Sequence, residues 1–464
     1  MNRLLLAPKL TYQTFERFGV SGAWWAQVVG GWDEIDEKSG IPKNERIAEL
    51  LFDKEKGIGI RCYRYNLGAG SAESGNGDIP NISRRTESFD AGNYKYDWSK
   101  DKNAVLMMKK AVEKGVDEVI FFVNSPIERL TKNHKSHSDK SFTANLDEKE
   151  YSRFAKYCLD CVEHFRAEGI PVKYISPVNE PVWKWTGGQE GCHYKPTQVW
   201  KLFRVFSDAI DKRPALSDLK LSGAENGDIR WFNKTYCRLL LGDIKIKSKM
   251  DAIDVHSYFL CPDYLILKKT IGNRLAFMKR FRKYMDRHYP DVPVKTSEWT
   301  HMKGGRDYGM KSALEQTKVI MEDLKYLNVT SWQLWIALSN VDYCDGLIYE
   351  FDSPRAFRLT KRYFAYGNFT KFIEPGSVRF EVNAGDDLDA VGFKKDGRFV
   401  IVIANRQKND IEILLPFKDA EIYITSERYD LVKQLYVKQL NLPGRSVTTI
   451  VTDDTDIKHF EVVD

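Results

Sequence analysis

Short apolar runs alternate with longer helical patterns over residues 17–371 of the chain. This alternation is typical of α/β proteins in which each strand of a parallel sheet is followed by a helix. Eight runs have the length and residue types of strands: Phe18–Trp25, Arg61–Ala69, Glu118–Pro126, Val172–Pro181, Leu219–Asn226, Met250–Tyr258, Pro293–Trp299 and Ser331–Ala337. Eight strand-and-helix units over about 350 residues predict a closed (β/α)8 barrel of the TIM type rather than an open sheet.

The pattern changes after the last helical stretch, near residues 361–372. Short alternating strands then follow one another with turns between them, such as the Asp396-Gly397 pair. The strand candidates are Ser377–Val382, Leu388–Phe393, Phe399–Ala404, Ile411–Leu415, Ala420–Ile424 and Ser446–Thr452. Such closely spaced strands predict a β-sandwich. We therefore expect a catalytic barrel at residues 17–371 and a sandwich formed by residues 1–16 and 372–464, which supports the barrel.

Composition and charge exclude several classes of protein. The 464 residues are 42% hydrophobic and 29% charged, which is typical of a globular chain and not of a disordered one. The net charge of +6 is spread along the chain, so we expect no nucleic-acid partner. The 11 tryptophans suit a protein that stacks sugar rings, although a large core uses them too.

The seven cysteines are an odd number scattered along the chain, which favours reduced thiols over a disulfide framework. Cys158 and Cys161 have C-x-x-C spacing, but they lie in an amphipathic helical pattern, so we interpret them as buried thiols. No apolar stretch reaches the roughly 18 residues of a membrane span. No leader-like segment is seen at the start. The chain as given is therefore expected to be cytoplasmic, or secreted if a leader has been removed.

Two predicted strand ends carry the pattern that glycoside hydrolysis needs. Strand four ends in Asn179-Glu180-Pro181, and strand seven ends in Ser297-Glu298-Trp299. In a (β/α)8 barrel the active site lies at the carboxyl ends of the strands. A retaining mechanism uses one protonated carboxyl and one ionised carboxylate about 5–5.5 Å apart. The pair predicts Glu180 as the acid/base and Glu298 as the nucleophile.

These motifs resemble the clan of (β/α)8 retaining glycosidases, and within it glycoside hydrolase family 30, whose barrel is joined to a β-sandwich. The matching stretches are FGVSGAWW at residues 18–25, RYN at 64–66, NSP at 124–126, NEP at 179–181, SE at 297–298 and LPGRSVTT at 442–449. The resemblance implies a retaining hydrolase that acts on a polysaccharide or oligosaccharide and uses no cofactor. No metal is expected either, because no cluster has ligand spacing. The oligomeric state stays open.

The resemblance also implies roles for residues around the two glutamates. Asn179 would donate a hydrogen bond to the sugar 2-hydroxyl, and Tyr258 would donate one to Glu298. Arg64 would favour the ionised form of Glu298, because it is a permanent cation. The remaining substrate-binding candidates are Asn124, His256, Trp335 and Trp25, or its neighbour Trp24. His256 is as readily interpreted as a core histidine, and the tryptophans as barrel packing.

The loop after strand four indicates the substrate. It contains Trp183, Trp185 and the stretch GGQEGCHY at residues 187–194, which is similar to the endo-β-1,6-galactanases of the family. We therefore expect Trp185, Gln189, Glu190 and His193 near the sugar, and cleavage of β-1,6-galactan side chains of arabinogalactan. The strand-three loop at residues 127–133 departs from the family, so no substrate contact is carried over to it.

Other readings stay open. The same chemistry would serve xylan, β-1,6-glucan or a β-glucoside such as glucosylceramide. A barrel that binds carbohydrate without cleaving it is a second class, although it would not need Glu298 and Arg64 together. A sugar-phosphate or cofactor-dependent barrel is a third, for which the segment KGGR at residues 303–306 is too short a phosphate signal.

Overall fold

The computed structural model describes residues 2–75, 78–230, 233–259 and 273–453. The chain divides into two compact units. One unit comprises Met1–Phe18, Leu50–Arg61 and Thr300–Asp464, and the other comprises Gly19–Glu49 and Cys62–Trp299. The domain boundaries expected from the sequence stay a prediction.

The barrel sheet has nine strand segments. In chain order they are Arg17–Ser21, Cys62–Asn66, Glu118–Phe122, Val172–Ser176, Lys220–Leu221, Ala224–Asn226, Ile253–His256, Val294–Trp299 and Val329–Leu334. We number the barrel strands one to eight and treat the fifth and sixth segments as the two halves of strand five. The order in the sheet is first half of five, four, three, two, one, eight, seven, six, second half of five. Because both edges belong to strand five, the predicted (β/α)8 barrel is confirmed.

The sequence predicts one continuous strand at Leu219–Asn226, but the observed strand five is divided into two halves. Ser222 Oγ and Gly223 N–H both donate to one carboxylate oxygen of Asp254, at 2.8 and 2.7 Å. A Cβ atom at Gly223 would come within 2.4 Å of the Phe203 ring, so the backbone here approaches its neighbour as only glycine can. The second half of the strand, Ala224–Asn226, leads directly into the site described below.

Several predicted strands are longer than the observed ones, because their last residues form the loops at the carboxyl ends. Strand one was expected to reach Trp25, but it ends at Ser21, and Trp25 begins a short helix, Trp25–Val29. The indole N–H of Trp25 donates to the Ser21 carbonyl at 2.8 Å, which folds the chain back over the strand end. Strand eight ends at Leu334, one residue before Trp335.

Helices follow most barrel strands, as the pattern predicts. Among the described residues the α-helices are Trp25–Val29, Lys43–Phe52, Ser71–Ser74, Lys102–Glu113, Tyr151–Ala167, Pro196–Asp211, Asn233–Tyr236, Ile244–Lys249, Arg274–His288, Met310–Glu322 and Lys361–Thr370. Short 3-10 turns occupy Ile82–Arg84, Glu128–Leu130, Glu148–Glu150 and Pro214–Leu216, and π-turns occupy Cys237–Leu241 and Asp323–Leu327. Within the described ranges, no helix is both long and apolar enough to cross a membrane.

The cysteines agree with the reduced thiols expected from their number. Cys158 and Cys161 lie on the buried face of the helix Tyr151–Ala167, as predicted. The described cysteines are all free and buried: Cys62, Cys158, Cys161, Cys192, Cys237 and Cys344. The seventh, Cys261, lies outside the described residues.

The other unit contains a β-sandwich. Its larger sheet has seven strands, in the order Leu5–Phe15, Ser377–Asn383, Leu388–Lys395, Arg398–Asn405, Ser446–Asp453, Glu421–Thr425 and Val432–Gln434. A smaller sheet is formed by Asn2–Arg3, Ile411–Leu414 and Gln439–Leu442. The six strands predicted after residue 372 are all present. A hairpin, Ile348–Asp352 with Arg355–Leu359, and the short strand Leu338–Ser339 form a further sheet.

Phe380 lies in the core of the sandwich. It is fully buried, and its ring meets the Phe399 ring edge-on, with the centroids 5.4 Å apart. It also fills the space beside Gly392, where a Cβ atom would come within 2.7 Å of it. The ring therefore holds neighbouring strands of one sheet in contact.

We predict that Phe380→Ala lowers the free energy of unfolding by about 3–5 kcal/mol, because it removes a large buried ring and leaves a cavity. Chemical denaturation monitored by fluorescence measures the change. Leu435→Ala is the control, because Leu435 is 90% exposed and should change stability little. Equal losses for the two variants would contradict this assignment of the core.

Candidate active site

Arg64 lies at the centre of the candidate site. It is on strand two, its side chain has no exposed surface, and its guanidinium lies 3.8 Å from the centre of the Phe122 ring. Nη1 donates to Glu298 Oε2 at 2.7 Å, whereas Nη2 donates to Glu225 Oε2 at 2.5 Å and to Asn179 Oδ1 at 3.0 Å. This buried guanidinium therefore links the carboxyl ends of strands four, five and seven.

Glu180 lies four residues beyond the end of strand four. Its φ of 45° is left-handed, which is uncommon for a residue other than glycine. Three hydrogen bonds hold this turn: Glu180 N–H donates to the Glu225 carbonyl at 2.9 Å, and the Glu180 carbonyl accepts from Trp183 N–H at 3.2 Å and from Trp185 Nε1–H at 2.9 Å. The side chain is 13% exposed, so its carboxyl is accessible but largely shielded.

Glu298 lies within strand seven, and its side chain is 6% exposed. Arg64 donates to Oε2, and the Tyr258 hydroxyl donates to Oε1 at 3.1 Å. Both oxygens therefore have a donor, and the donors are the two residues expected from the sequence. Burial raises the pKa of Tyr258 well above its ordinary value, so the hydroxyl keeps its proton and remains a donor. The catalytic roles of these residues stay predictions.

His256 ends strand six and is fully buried among carboxylates. Nδ1 lies 2.9 Å from Glu180 Oε1 and 3.5 Å from Glu298 Oε1, and Nε2 lies 3.8 Å from Glu225 Oε2. Burial disfavours the charged ring, but Glu298, Glu180 and Glu225 outweigh it and raise the pKa of His256 to about 10. His256 is therefore an imidazolium at neutral pH, which a core histidine packed among apolar groups would not be.

Glu225 is a site residue that the sequence analysis missed. It lies in the second half of strand five, is fully buried, and binds Arg64. Burial opposes ionisation, but Arg64 and His256 lower the pKa of Glu225 below its ordinary value. The signal that would have found it is the one used for Glu180, an acidic residue at the carboxyl end of a barrel strand.

Three asparagines form a row across neighbouring strand ends. Asn179 Nδ2 donates to Asn124 Oδ1 at 3.0 Å, and Asn124 Nδ2 donates to Asn66 Oδ1 at 3.1 Å. Because Asn179 Oδ1 also accepts from Arg64, the orientation of the Asn179 amide is fixed. Asn124 is thereby joined to the site through Asn179. Sugar contacts of either residue stay a prediction.

The protein gives the two predicted catalytic glutamates different surroundings. Burial raises the pKa of Glu180, and Glu298 adds to the rise, while His256 and Arg64 oppose it. Glu298 instead accepts from Arg64 and Tyr258, which stabilise a carboxylate. Such a difference is what an acid beside an ionised nucleophile requires.

Glu180, His256 and Glu298 are close enough to share a small ligand. One atom from each lies within 4.8 Å of the others, a spacing that a metal ion would also accept. The carboxylates around His256 raise its pKa, so its ring is a hydrogen-bond donor within this cluster.

The loop after strand four places aromatic side chains next to Glu180. Trp183 Nε1 and Glu180 Cδ would lie 2.1 and 3.0 Å from a Cβ atom at Gly227, so both pack against that glycine. His193 Nδ1 contacts the Trp183 carbonyl at 3.0 Å. Trp185 bonds the Glu180 carbonyl and is half-buried. Trp185 and His193 are therefore held in the loop that follows Glu180, and their contacts with a sugar stay a prediction.

Glu190 and Gln189 differ in their surroundings. Gln189 is half-buried, and its sugar contact stays a prediction. Glu190 is fully buried, and its carboxylate accepts from Ala69 N–H at 3.2 Å, from Ser71 N–H at 3.3 Å and from Ser71 Oγ at 2.6 Å. These contacts hold the loop after strand two against the loop after strand four, so Glu190 has a loop-fixing role whatever its relation to the sugar.

The tryptophans expected to stack on a sugar are largely buried. Trp25 is 2% exposed and its ring meets Tyr63 edge-on at 6.4 Å, while Trp24 is 7% exposed and packs under the Arg84 guanidinium at 4.8 Å. These are packing contacts. Trp335 follows strand eight in the other compact unit and is 9% exposed. Its role as a platform stays a prediction.

Comparison with known proteins supports the sequence resemblance. A family model described as "O-Glycosyl hydrolase family 30" matches residues 2–349, which contain all the barrel strands. The chain is 25% identical over 428 residues to an endo-beta-1,6-galactanase of Hypocrea rufa, and the alignment covers 87% of this chain and 81% of that protein.

Solved structures share the fold. A conserved exported protein from Bacteroides fragilis superposes with a TM-score of 0.85 at 24% identity, over 97% of this chain and 100% of that one. The catalytic domain of GH30 xylanase C from Talaromyces cellulolyticus has a TM-score of 0.73 at 16% identity, over 97% and 99% of the two chains.

The buried carboxyl of Glu190 predicts a pH-dependent stability. Burial raises the pKa of Glu190 from an ordinary 4.5 to about 7, against the opposing hydrogen bonds. Between these pH values the folded protein keeps a proton that the unfolded chain releases, so Glu190 weakens folding as the pH rises. We predict that the melting temperature of the wild type, relative to that of Glu190→Gln, falls as the pH is raised from 4.5 to 7. A difference that is constant or grows with pH would contradict this.

Proposed function

The chain belongs to O-glycosyl hydrolase family 30 and is a glycosidase, and on that premise we propose that it is a retaining endo-β-1,6-galactanase. The proposed substrate is the β-1,6-galactan side chain of arabinogalactan. The proposed mechanism rests on the short distance between Glu180 and Glu298. A carboxylate oxygen of one lies within 4.8 Å of a carboxylate oxygen of the other. That separation suits direct attack on the sugar and leaves too little room for the water of an inverting mechanism.

In the first step the Glu298 carboxylate attacks the anomeric carbon. The bond from that carbon to the glycosidic oxygen breaks, and the leaving oxygen takes the proton of Glu180. Arg64 and Tyr258 donate hydrogen bonds to the two oxygens of Glu298 and align it for the attack. The product of this step is a covalent glycosyl-enzyme ester on Glu298, with Glu180 now ionised.

In the second step a water molecule attacks the same carbon. Glu180 accepts the proton of the water, and the bond between the sugar and Glu298 breaks, which regenerates both carboxyl groups. Loss of the negative charge on Glu298 in the ester removes one group that raises the pKa of Glu180, and the contact with His256 favours its ionised form. The acid of the first step can thus act as the base of the second.

The loop after strand four supports the proposed substrate. Its aromatic residues lie directly beside the acid/base, where they would meet the sugar that leaves or the sugar that is cleaved. The relative from Hypocrea rufa is named an endo-beta-1,6-galactanase. That name, on a protein 25% identical to this chain, supports galactan as the proposed substrate.

A non-catalytic sugar-binding barrel would not need this arrangement. Burying Arg64, Glu225 and Glu298 together is costly, and a site that only binds neutral sugars gains little from the charges. A site that forms and breaks an ester on a carboxylate does gain from them.

We predict that Glu180→Ala impairs hydrolysis of galactan by about 10²-fold or more, and that activated aryl β-galactosides are affected far less, because their leaving groups need no proton. Added azide should restore turnover of the aryl substrate by entering the vacated space. Steady-state rates on the two substrates measure the effect. Equal losses without azide rescue would remove Glu180 from the acid/base role.

The substrate is tested by digestion of arabinofuranosidase-treated arabinogalactan beside β-1,6-glucan and glucuronoxylan. We expect β-1,6-galactobiose and longer oligomers from the first polymer, with the β configuration retained in the earliest product by proton NMR. Glu298→Gln is the control and should lose activity by about 10³-fold or more. Efficient cleavage of xylan or glucan, with none of galactan, would reject this substrate, and an early α product would reject the retaining mechanism.

A further inference from the structure

Glu225 is a buried carboxylate that the two-step reaction does not use. Its side chain has no exposed surface, whereas those of Glu180 and Glu298 are 13% and 6% exposed. A group with no exposed surface cannot reach a sugar to attack or protonate it. Any contribution of Glu225 to the reaction must therefore act through its neighbours.

The neighbours of Glu225 are the two cations of the site and the backbone of the acid/base. Its Oε2 lies 2.5 Å from Arg64 Nη2 and 3.8 Å from His256 Nε2. Its carbonyl accepts from Glu180 N–H at 2.9 Å. One residue thus bonds a cation that binds Glu298, lies within ion-pair distance of a cation that binds Glu180, and accepts from the main chain that presents Glu180.

The net charge of Arg64, Glu180, Glu225, His256 and Glu298 is the same before and after the first step of the proposed reaction. Before attack, Glu225 and Glu298 are anions, Arg64 and His256 are cations, and Glu180 is protonated, so the sum is zero. In the glycosyl-enzyme, Glu298 is a neutral ester and Glu180 has become an anion, so the sum is again zero. Without Glu225 the sum would be +1 in both states, and the burial of an unbalanced charge is costly.

Glu225 also limits how Arg64 is oriented. The guanidinium is planar, and its two terminal nitrogens point to Glu298 and to Glu225 with Asn179. When Glu298 is esterified, its oxygen no longer carries a full charge, but the bond to Glu225 remains. Arg64 can therefore stay in place for the second step without a new partner.

We propose that Glu225 is a positioning residue for the glycosidase reaction: its carboxylate holds Arg64 and His256 beside the two catalytic glutamates and remains an anion when Glu298 is consumed. The proposal rests on the proposed function. The titratable or charged groups that face this network from the packed strands are Arg64, Glu180, Asp254, His256, Tyr258, Lys295 and Glu298.

The test compares Glu225→Gln, which keeps the shape and removes the charge, with Glu225→Asp, which keeps the charge. The control is Asp101→Asn, at another buried carboxyl whose partner is the Tyr65 hydroxyl. Three quantities are measured for each variant: kcat/KM on an aryl β-galactoside, its pH profile, and the titration of the His256 ring by NMR with labelled histidine. Thermal melting checks that each variant is folded.

We expect Glu225→Gln to lose about 10²-fold in kcat/KM, the size expected when one partner of a buried charge pair is removed. His256 should then lose its proton at lower pH than in the wild type, because the anion beside its Nε2 atom, which helps to raise its pKa, is gone. Deprotonation of His256 should then add a further pH-dependent change to the profile of kcat/KM. Glu225→Asp should recover most of the loss and keep the wild-type profile, and Asp101→Asn should leave the profile unchanged.

A purely structural role for Glu225 would give a different result. Both variants would then lose rate equally, with an unshifted pH profile and an unshifted His256 titration, and the proposal would be wrong. If Glu225→Gln does not fold, the NMR titration of His256 in the wild-type protein still tests the proposal. A His256 ring that titrates near the ordinary value of 6.5 would overturn it. The NMR measurement needs no substrate, so a lack of activity on every β-glycan would reject the proposed function separately.

Discussion

The site depends on the burial of one permanent cation. Arg64 has no exposed surface, and a charge of this kind is tolerated only where anions and hydrogen-bond acceptors surround it. Its partners come from three different strands, so the barrel must bring the carboxyl ends of strands four, five and seven to one point. Glu298 and Asn179 are thereby oriented, and Glu225 is drawn into the interior. The positions of the groups that would touch a sugar follow from this single pairing.

Much of the fold could be predicted because its strands and helices follow from local patterns in the sequence. The alternation of strand and helix patterns indicated eight barrel strands, and the rule that function lies at their carboxyl ends indicated Glu180 and Glu298. The ends of the strands were harder to predict, because the residues that follow a strand are as apolar as the strand itself. Trp25 is an example: its indole folds back on the Ser21 carbonyl, a contact that no periodicity reveals.

The contacts that Glu225 and Glu190 make could not be predicted, because they join residues far apart in the sequence. Glu225 follows a glycine that divides strand five, and its partner Arg64 is 161 residues away. Glu190 was expected near the sugar because its loop follows Glu180 and is similar to the family's endo-β-1,6-galactanases, and its carboxylate binds Ser71, 119 residues away in the sequence. Contacts across such separations are fixed by the closed barrel, so a single sequence without its fold does not show them.

The central claim is that Glu298 forms a covalent bond with the sugar. It is tested most directly with a 2-deoxy-2-fluoro β-galactoside that has a good leaving group, because this compound slows the second step more than the first. The enzyme is incubated with the compound, and the intact protein and its peptides are then analysed by mass spectrometry. The account predicts one added sugar per chain, attached to Glu298 and absent from Glu298→Gln. A sugar attached to Glu180 or Glu225 would contradict the account, as would turnover of the compound without any covalent adduct.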